Sequence, residues 1–170
     1  VTRLHALELS PDADGAAAVV AAWRELADAG LPSQLLHQGS TNAPHTTLVA
    51  TPDPVAPEVV DRAVALLGPL LPVEVALSGV IVFGGPRPSL AWTLEVPDAV
   101  VAAVLELRSM TTGHRHQGWL PHVTLARRLR RDSVASALVV LSPGPRTLRL
   151  ASLRHWDPEH ELIRTVHAGA

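Results

Sequence analysis

Two short strings in this chain repeat one another: Pro44-His45-Thr46-Thr47-Leu48 and, 77 positions further on, Pro121-His122-Val123-Thr124-Leu125. Each sets an imidazole two residues from a hydroxyl. On an extended strand alternate side chains share a face, so His45 points with Thr47 and His122 with Thr124, while Leu48 and Leu125 point to the opposite, buried side. Histidine gives and takes a proton near neutral pH, and a threonine hydroxyl can donate to an oxyanion. Two such strands side by side make a pocket with an acid, a base and two hydroxyl donors. One copy alone would read as an ordinary strand carrying good β-formers. Two copies that match at four positions point to a single shared site.

The elements that must hold these strands lie around them. Residues 3–9 alternate as a strand, Ser10-Pro11-Asp12 supplies turn and cap chemistry, and a helix follows over about 13–29, ending at Gly30. A loop at 38–44 leads into the first motif strand, which runs to about Ala50, and prolines at 52, 54 and 57 introduce a helix at about 57–68. Strands at about 72–83 and 89–96 flank Gly84-Gly85-Pro86 as a hairpin. The second half has a helix at about 98–112, a loop at 113–120, the second motif strand from about 121 to 128, a helix at 132–141, and strands at about 146–156 and 161–167.

The order helix, loop, motif strand, helix, strand thus occurs twice. The expected architecture is α+β, a single domain over residues 1–170 built from two intertwined lobes related by a pseudo-twofold. Two antiparallel sheets would face a central cleft with helices outside. Pro44 and Pro121 favour extended geometry in the residue before each, which sets each motif at the start of its strand, near the cleft mouth.

Composition narrows the function classes. At 170 residues and 47% hydrophobic the chain can bury one full-sized core. Its apolar stretches are broken well short of the roughly 20 residues a membrane span needs, and the opening VTRLHALELS has no signal-like hydrophobic region, so a cytoplasmic protein with no membrane partner is expected. The absence of cysteine excludes disulfides, thiol nucleophiles and thiolate metal sites, and fits a reducing compartment. A net charge of −2 argues against a broad surface for long nucleic acid. All 14 basic side chains are arginine, whose forked donors suit phosphate oxygens, although the same bias also fits a GC-rich genome.

Further candidates flank the second motif. Arg128, six positions after His122, falls on the same face by strand parity and could reach a substrate phosphate; Arg127 falls on the other. Trp119 precedes His122 by three residues, where its ring could stack on a base. Phe83 and Trp92 are expected to fill core. His5 and His37 could support the cleft, while His155, His160 and His167 are assigned no role. His114-Arg115-His116 beside His122 has neither cysteine nor a carboxylate at ligand spacing, so no metal and no cofactor is expected.

The paired His-x-Thr strings, with SGVIVFGG ahead of a strand and GWLPHVTLARR around the second copy, resemble the two-histidine phosphoesterase superfamily in its bacterial 2′-5′ RNA ligase-like and cyclic phosphodiesterase branch. The resemblance spans nearly the whole chain. It implies a bilobal α+β fold and metal-independent hydrolysis of cyclic or linear phosphodiesters. It also implies His45 as acid and His122 as base when a 2′,3′-cyclic phosphate is opened, with Thr47 and Thr124 holding the non-bridging oxygens. The sequence itself is symmetric about that choice, and a reaction run backwards exchanges the two roles. The expected substrate is a small nucleotide or an RNA end, and the expected state is a monomer with no obligatory protein partner. Two other readings stand beside this one: 2′-5′ RNA ligation or exonucleolytic trimming at the same site, and a nucleotide- or RNA-binding module with little turnover.

Overall fold

Alternation in the segment HALELSP puts Leu7 and Leu9 on one side of the backbone and Glu8 on the other, and the segment forms the first strand. In the computed structural model, which describes residues 3–37, 39, 41–114, 118–141 and 146–169, the elements are β1 (His5–Pro11), α1 (Ala13–Asp28), β2 (Thr46–Thr51), α2 (Pro57–Leu67), β3 (Val73–Phe83), β4 (Ser89–Glu95), α3 (Asp98–Ser109), β5 (His122–Ala126), α4 (Val134–Val140), β6 (Thr147–Asp157) and β7 (Leu162–Ala168). Helix α1 starts where Asp12 accepts a hydrogen bond from the Gly15 amide at 2.8 Å, the N-cap geometry anticipated for that residue. It ends before Gly30, whose φ of 71° only glycine adopts freely. The apolar stripes of α1 (Val19, Ala22, Trp23, Leu26) and α3 (Val100, Ala103, Val104, Leu107) share one spacing, and both are buried.

All neighbouring strands pair antiparallel, in the order β2-β1-β6-β3-β4-β5, with β7 also on β6. Exchanging β1, β2 and β3 for β4, β5 and β6 turns that order into itself. The repeated element order of the sequence is therefore also a repeat of topology, with the symmetry centre between β3 and β6.

The expectation of two separate sheets is corrected by the pairing. Strand β6 is long enough to serve both halves: Thr147–Leu150 pairs with β3, while Leu150–Trp156 pairs with β1. Hydrogen bonding therefore runs through the junction, and the seven strands form one sheet. Its two terminal strands, β2 and β5, nevertheless approach each other, since the His122 amide donates to Thr46 Oγ1 at 3.3 Å.

Both motif strands carry the same irregularity. Opposite β1 the register steps from Thr47 to Val49, leaving Leu48 as an extra residue, and opposite β4 it steps from Thr124 to Ala126, leaving Leu125. These are β-bulges, which bend a strand and re-aim the adjacent side chains. Leu48, Val49, Leu125 and Ala126 are all fully buried, so each bulge turns two consecutive residues into the core directly after the motif threonine. Replacing Leu48 or Leu125 by alanine is expected to cost about 2–5 kcal/mol of stability, read by denaturant unfolding, because each leaves a cavity inside a rigid kink.

Candidate active site

The bulges place the two His-x-Thr pairs in matching settings on the approaching strands. The intervening residues, Thr46 and Val123, are buried, while His45, Thr47, His122 and Thr124 are half-exposed. Each histidine is fixed by its own backbone. Nδ1 of His45 lies 2.8 Å from the Ala43 carbonyl, and Nδ1 of His122 lies 2.7 Å from the Leu120 carbonyl. A carbonyl only accepts, so both Nδ1 atoms carry the hydrogen, and Nε2 is left in each ring as the nitrogen that can exchange a proton with something else.

Beyond that shared frame the two imidazoles differ. Nε2 of His45 lies 3.3 Å from Glu8 Oε1 on β1. Glu8 is itself buried and paired with buried Arg154, its register partner on β6, whose Nε donates to Glu8 Oε2 at 2.7 Å. Arg154 also donates from Nη2 to the Ala43 carbonyl at 3.4 Å, the same oxygen that anchors His45. His122 has an apolar neighbour instead: its ring meets Phe83 edge-on, with centroids 5.2 Å apart. Burial lowers the His122 pKa from its ordinary value, against the raising effect of its bond to Leu120, and the positive charges of His45 and Arg127 lower it further. His122 thus favours the neutral form, and the two histidines lie close enough for the charge of one to act on the other.

The terminal strands are stitched together from opposite halves. Trp23 of α1 donates its indole N–H to the Thr124 carbonyl at 3.1 Å, and Trp119, just ahead of β5, donates to the Thr47 carbonyl at 2.9 Å. Each motif threonine is therefore held by a tryptophan from beside the other motif or from the other half. Arg108 of α3 adds a donor to the Leu48 carbonyl at 3.2 Å and another to the Gly118 carbonyl at 3.3 Å.

The other residues singled out by sequence fall as follows. Trp119 packs partly buried against the core, and its indole N–H is committed to β2. Arg128 is exposed, but β5 ends at Ala126 and Arg128 has a φ of 60°, in the left-handed region, so the parity that placed it on the His122 face no longer applies. The chain has already turned there, and Arg127 is exposed in the same bend. Trp92 is core, as expected, whereas Phe83 belongs beside His122. His37 is exposed, and His5 lies on the other face of β1 from Glu8. His114 bonds through Nε2 to the Arg108 carbonyl at 3.0 Å; Arg115 and His116 lie outside the described residues.

Sequence reasoning missed Glu8, Arg154, Phe83 and Trp23. Only Glu8 left a signal, as the one charge inside an otherwise apolar strand segment, and that signal is what any strand with one wet face would give.

Two topologically repeated halves, each ending in a His-x-Thr strand, are also found in known proteins. The family model for the 2′-5′ RNA ligase superfamily matches residues 11–160, and the chain belongs to that family. Among solved structures it is similar to Usb1 of Kluyveromyces marxianus with uridine monophosphate, at 16% identity over 98% of each chain and a TM-score of 0.58. It is also similar to LigT of E. coli in its apo form, at 15% identity over 96% of this chain and 93% of that one, with a TM-score of 0.56. The E. coli LigT complex with 3′-AMP gives 16% identity over 96% and 93%, and a TM-score of 0.52. No curated protein matches the chain.

Two outcomes follow from the electrostatics. NMR titration of the imidazole resonances should place the His122 midpoint below that of an ordinary histidine. Because the unfolded chain then binds the proton more readily, this group makes the fold lose stability as pH falls through the ordinary histidine value towards the folded one. Glu8→Gln should cost about 3–5 kcal/mol by thermal or urea unfolding, since it leaves the Arg154 guanidinium buried without its counter-charge.

Proposed function

We propose that this protein is a metal-independent phosphoesterase that hydrolyses 2′,3′-cyclic phosphates of RNA ends or small nucleotides, using His122 and His45 as base and acid. The observation that carries the reading is the pair of Nδ1-anchored imidazoles, each left with Nε2 as its proton-exchanging nitrogen, that of His45 beside Glu8, on approaching strands that also carry Thr47 and Thr124. Membership in the 2′-5′ RNA ligase superfamily supports it, as does the occurrence of nucleoside monophosphates in the Usb1 and LigT structures.

The steps follow from the asymmetry around the two rings. His122, held towards the neutral form by burial, takes a proton from water at Nε2 as the oxygen attacks phosphorus. The bond from phosphorus to one ribose oxygen breaks, and that oxygen receives the proton carried on His45 Nε2. Glu8 Oε1 lies 3.3 Å from that nitrogen and fixes where it points. The hydroxyls of Thr47 and Thr124 donate to the non-bridging oxygens, where negative charge builds in the transition state. The product is a phosphomonoester beside a free hydroxyl, and exchange with solvent returns a proton from His122 to His45. The protein would act as a monomer on a small nucleotide or RNA end, without a membrane or protein partner. Arg128 and Trp119 remain weaker candidates for substrate contact.

The test is turnover of nucleoside 2′,3′-cyclic phosphates in the presence of EDTA. Wild type should be active, His45→Ala and His122→Ala should each abolish turnover, and Thr47→Val or Thr124→Val should lower kcat by about 10²–10³. Inactivity of the wild type on all four bases would overturn the reading, and activity lost on chelation would overturn its metal independence. The pH profile should be bell-shaped. Its acidic limb should lie below the ordinary histidine value, because the base titrates there and must be neutral to act.

A further inference from the structure

Strand β1 opens with a histidine that the cleft does not use. His5 shares a face with Leu7 and Leu9, opposite to Glu8, and only 3% of its surface is exposed. Two carboxylates face it. Asp157 Oδ1, at the end of β6, lies 3.9 Å from Nδ1, and Glu159 Oε1, in the turn before β7, lies 3.8 Å from Nε2. Both separations are too long for hydrogen bonds, and buried Nδ1 has no hydrogen-bond partner among the described residues. One ligand atom from each of the three residues falls within 4.8 Å of the others. His155, two residues before Asp157 on the same face of β6, likewise keeps a buried Nε2 without a partner.

Buried imidazole nitrogens rarely go unsatisfied, and one left open towards carboxylates calls for an occupant. We propose that His5, Asp157 and Glu159 bind a single divalent transition-metal ion. One imidazole with two carboxylates, completed by water, is a donor set for zinc or manganese, and the absence of cysteine removes the softer alternatives. Ligand bonds of about 2.0–2.2 Å to a central ion would close the present gaps by a modest inward movement of the three side chains. Asp157 is already oriented for this, since its Oδ1 accepts from the amides of Glu159 at 3.0 Å and His160 at 3.4 Å, and its Oδ2 lies 2.8 Å from His160 Nδ1. The ion fastens the first residue of β1 to the β6–β7 turn, where Arg3 and Glu161 also pair. It lies on the sheet face away from Glu8 and takes no part in the phosphoester chemistry. The sequence expectation of no metal rested on spacing around His122; these ligands come from opposite ends of the chain, where spacing carries no information.

Zinc titrated into chelator-stripped protein, followed by calorimetry and native mass spectrometry, tests the site. One ion per chain is expected, with a rise in Tm of about 5–10 °C at zinc a hundredfold above its Kd. Glu159→Gln alters an exposed side chain that the fold does not need, and should weaken binding about tenfold or more; His5→Gln should abolish it. No zinc-dependent rise in Tm for the wild type would overturn the proposal. Equal binding by wild type and Glu159→Gln would also overturn it, by assigning the ion to other histidines.

Discussion

The arrangement depends on how the two ends of a single sheet are brought together. Strands β2 and β5 terminate the hydrogen-bonded path, so among the described residues each has an edge that no strand covers, and such edges invite pairing with other chains. Here the exposed carbonyls are taken by side chains instead: Trp119 on Thr47, Arg108 on Leu48 and Trp23 on Thr124. The donors are large, so satisfying the edge also fixes the distance between the edges. That distance sets the separation of the two His-x-Thr pairs. The carbonyls concerned belong to the motif residues themselves, which means the backbone is clamped at or next to each residue whose hydroxyl would meet substrate.

The same economy appears in the bulges. A regular strand would have to choose between facing Leu48 inward and keeping Val49 inward, because alternation forbids both. The extra residue lifts that restriction and lets the strand sink two side chains into the core just past the threonine, so the polar end of the strand is levered outward. The second motif does the same with Leu125 and Ala126. The position of each motif is therefore set by apolar burial behind it, with the half-exposed polar groups on the other side.

Much of this was legible in the residues. The element order, the duplicated half and the inward leucines all follow from periodicity and turn chemistry, which are local. What was hidden is non-local. The Glu8 and Arg154 pair joins positions 146 residues apart, and nothing in either neighbourhood announces the other. Phe83 reads as core because a lone phenylalanine in a strand usually is; in the fold its ring lies edge-on to His122, two strands away. For Arg128 the limit is the reach of parity, which extends only as far as the strand, and the strand stops two residues earlier. The single sheet was misjudged because a repeat of elements does not say whether the two copies face each other or share a seam.

The palindromic strand order has one more consequence. A frame that maps onto itself on exchange of its halves has no preferred direction, and a catalyst built from it alone would treat both sides of a phosphorus atom alike. Direction enters through two side chains outside the repeated strings, a carboxylate beside one ring and a phenyl group beside the other. In the proposed reaction two tasks would be separate: symmetry would supply the aim and a few unmatched neighbours the sense of travel, so that the polarity of proton flow could be changed without disturbing the paired motifs.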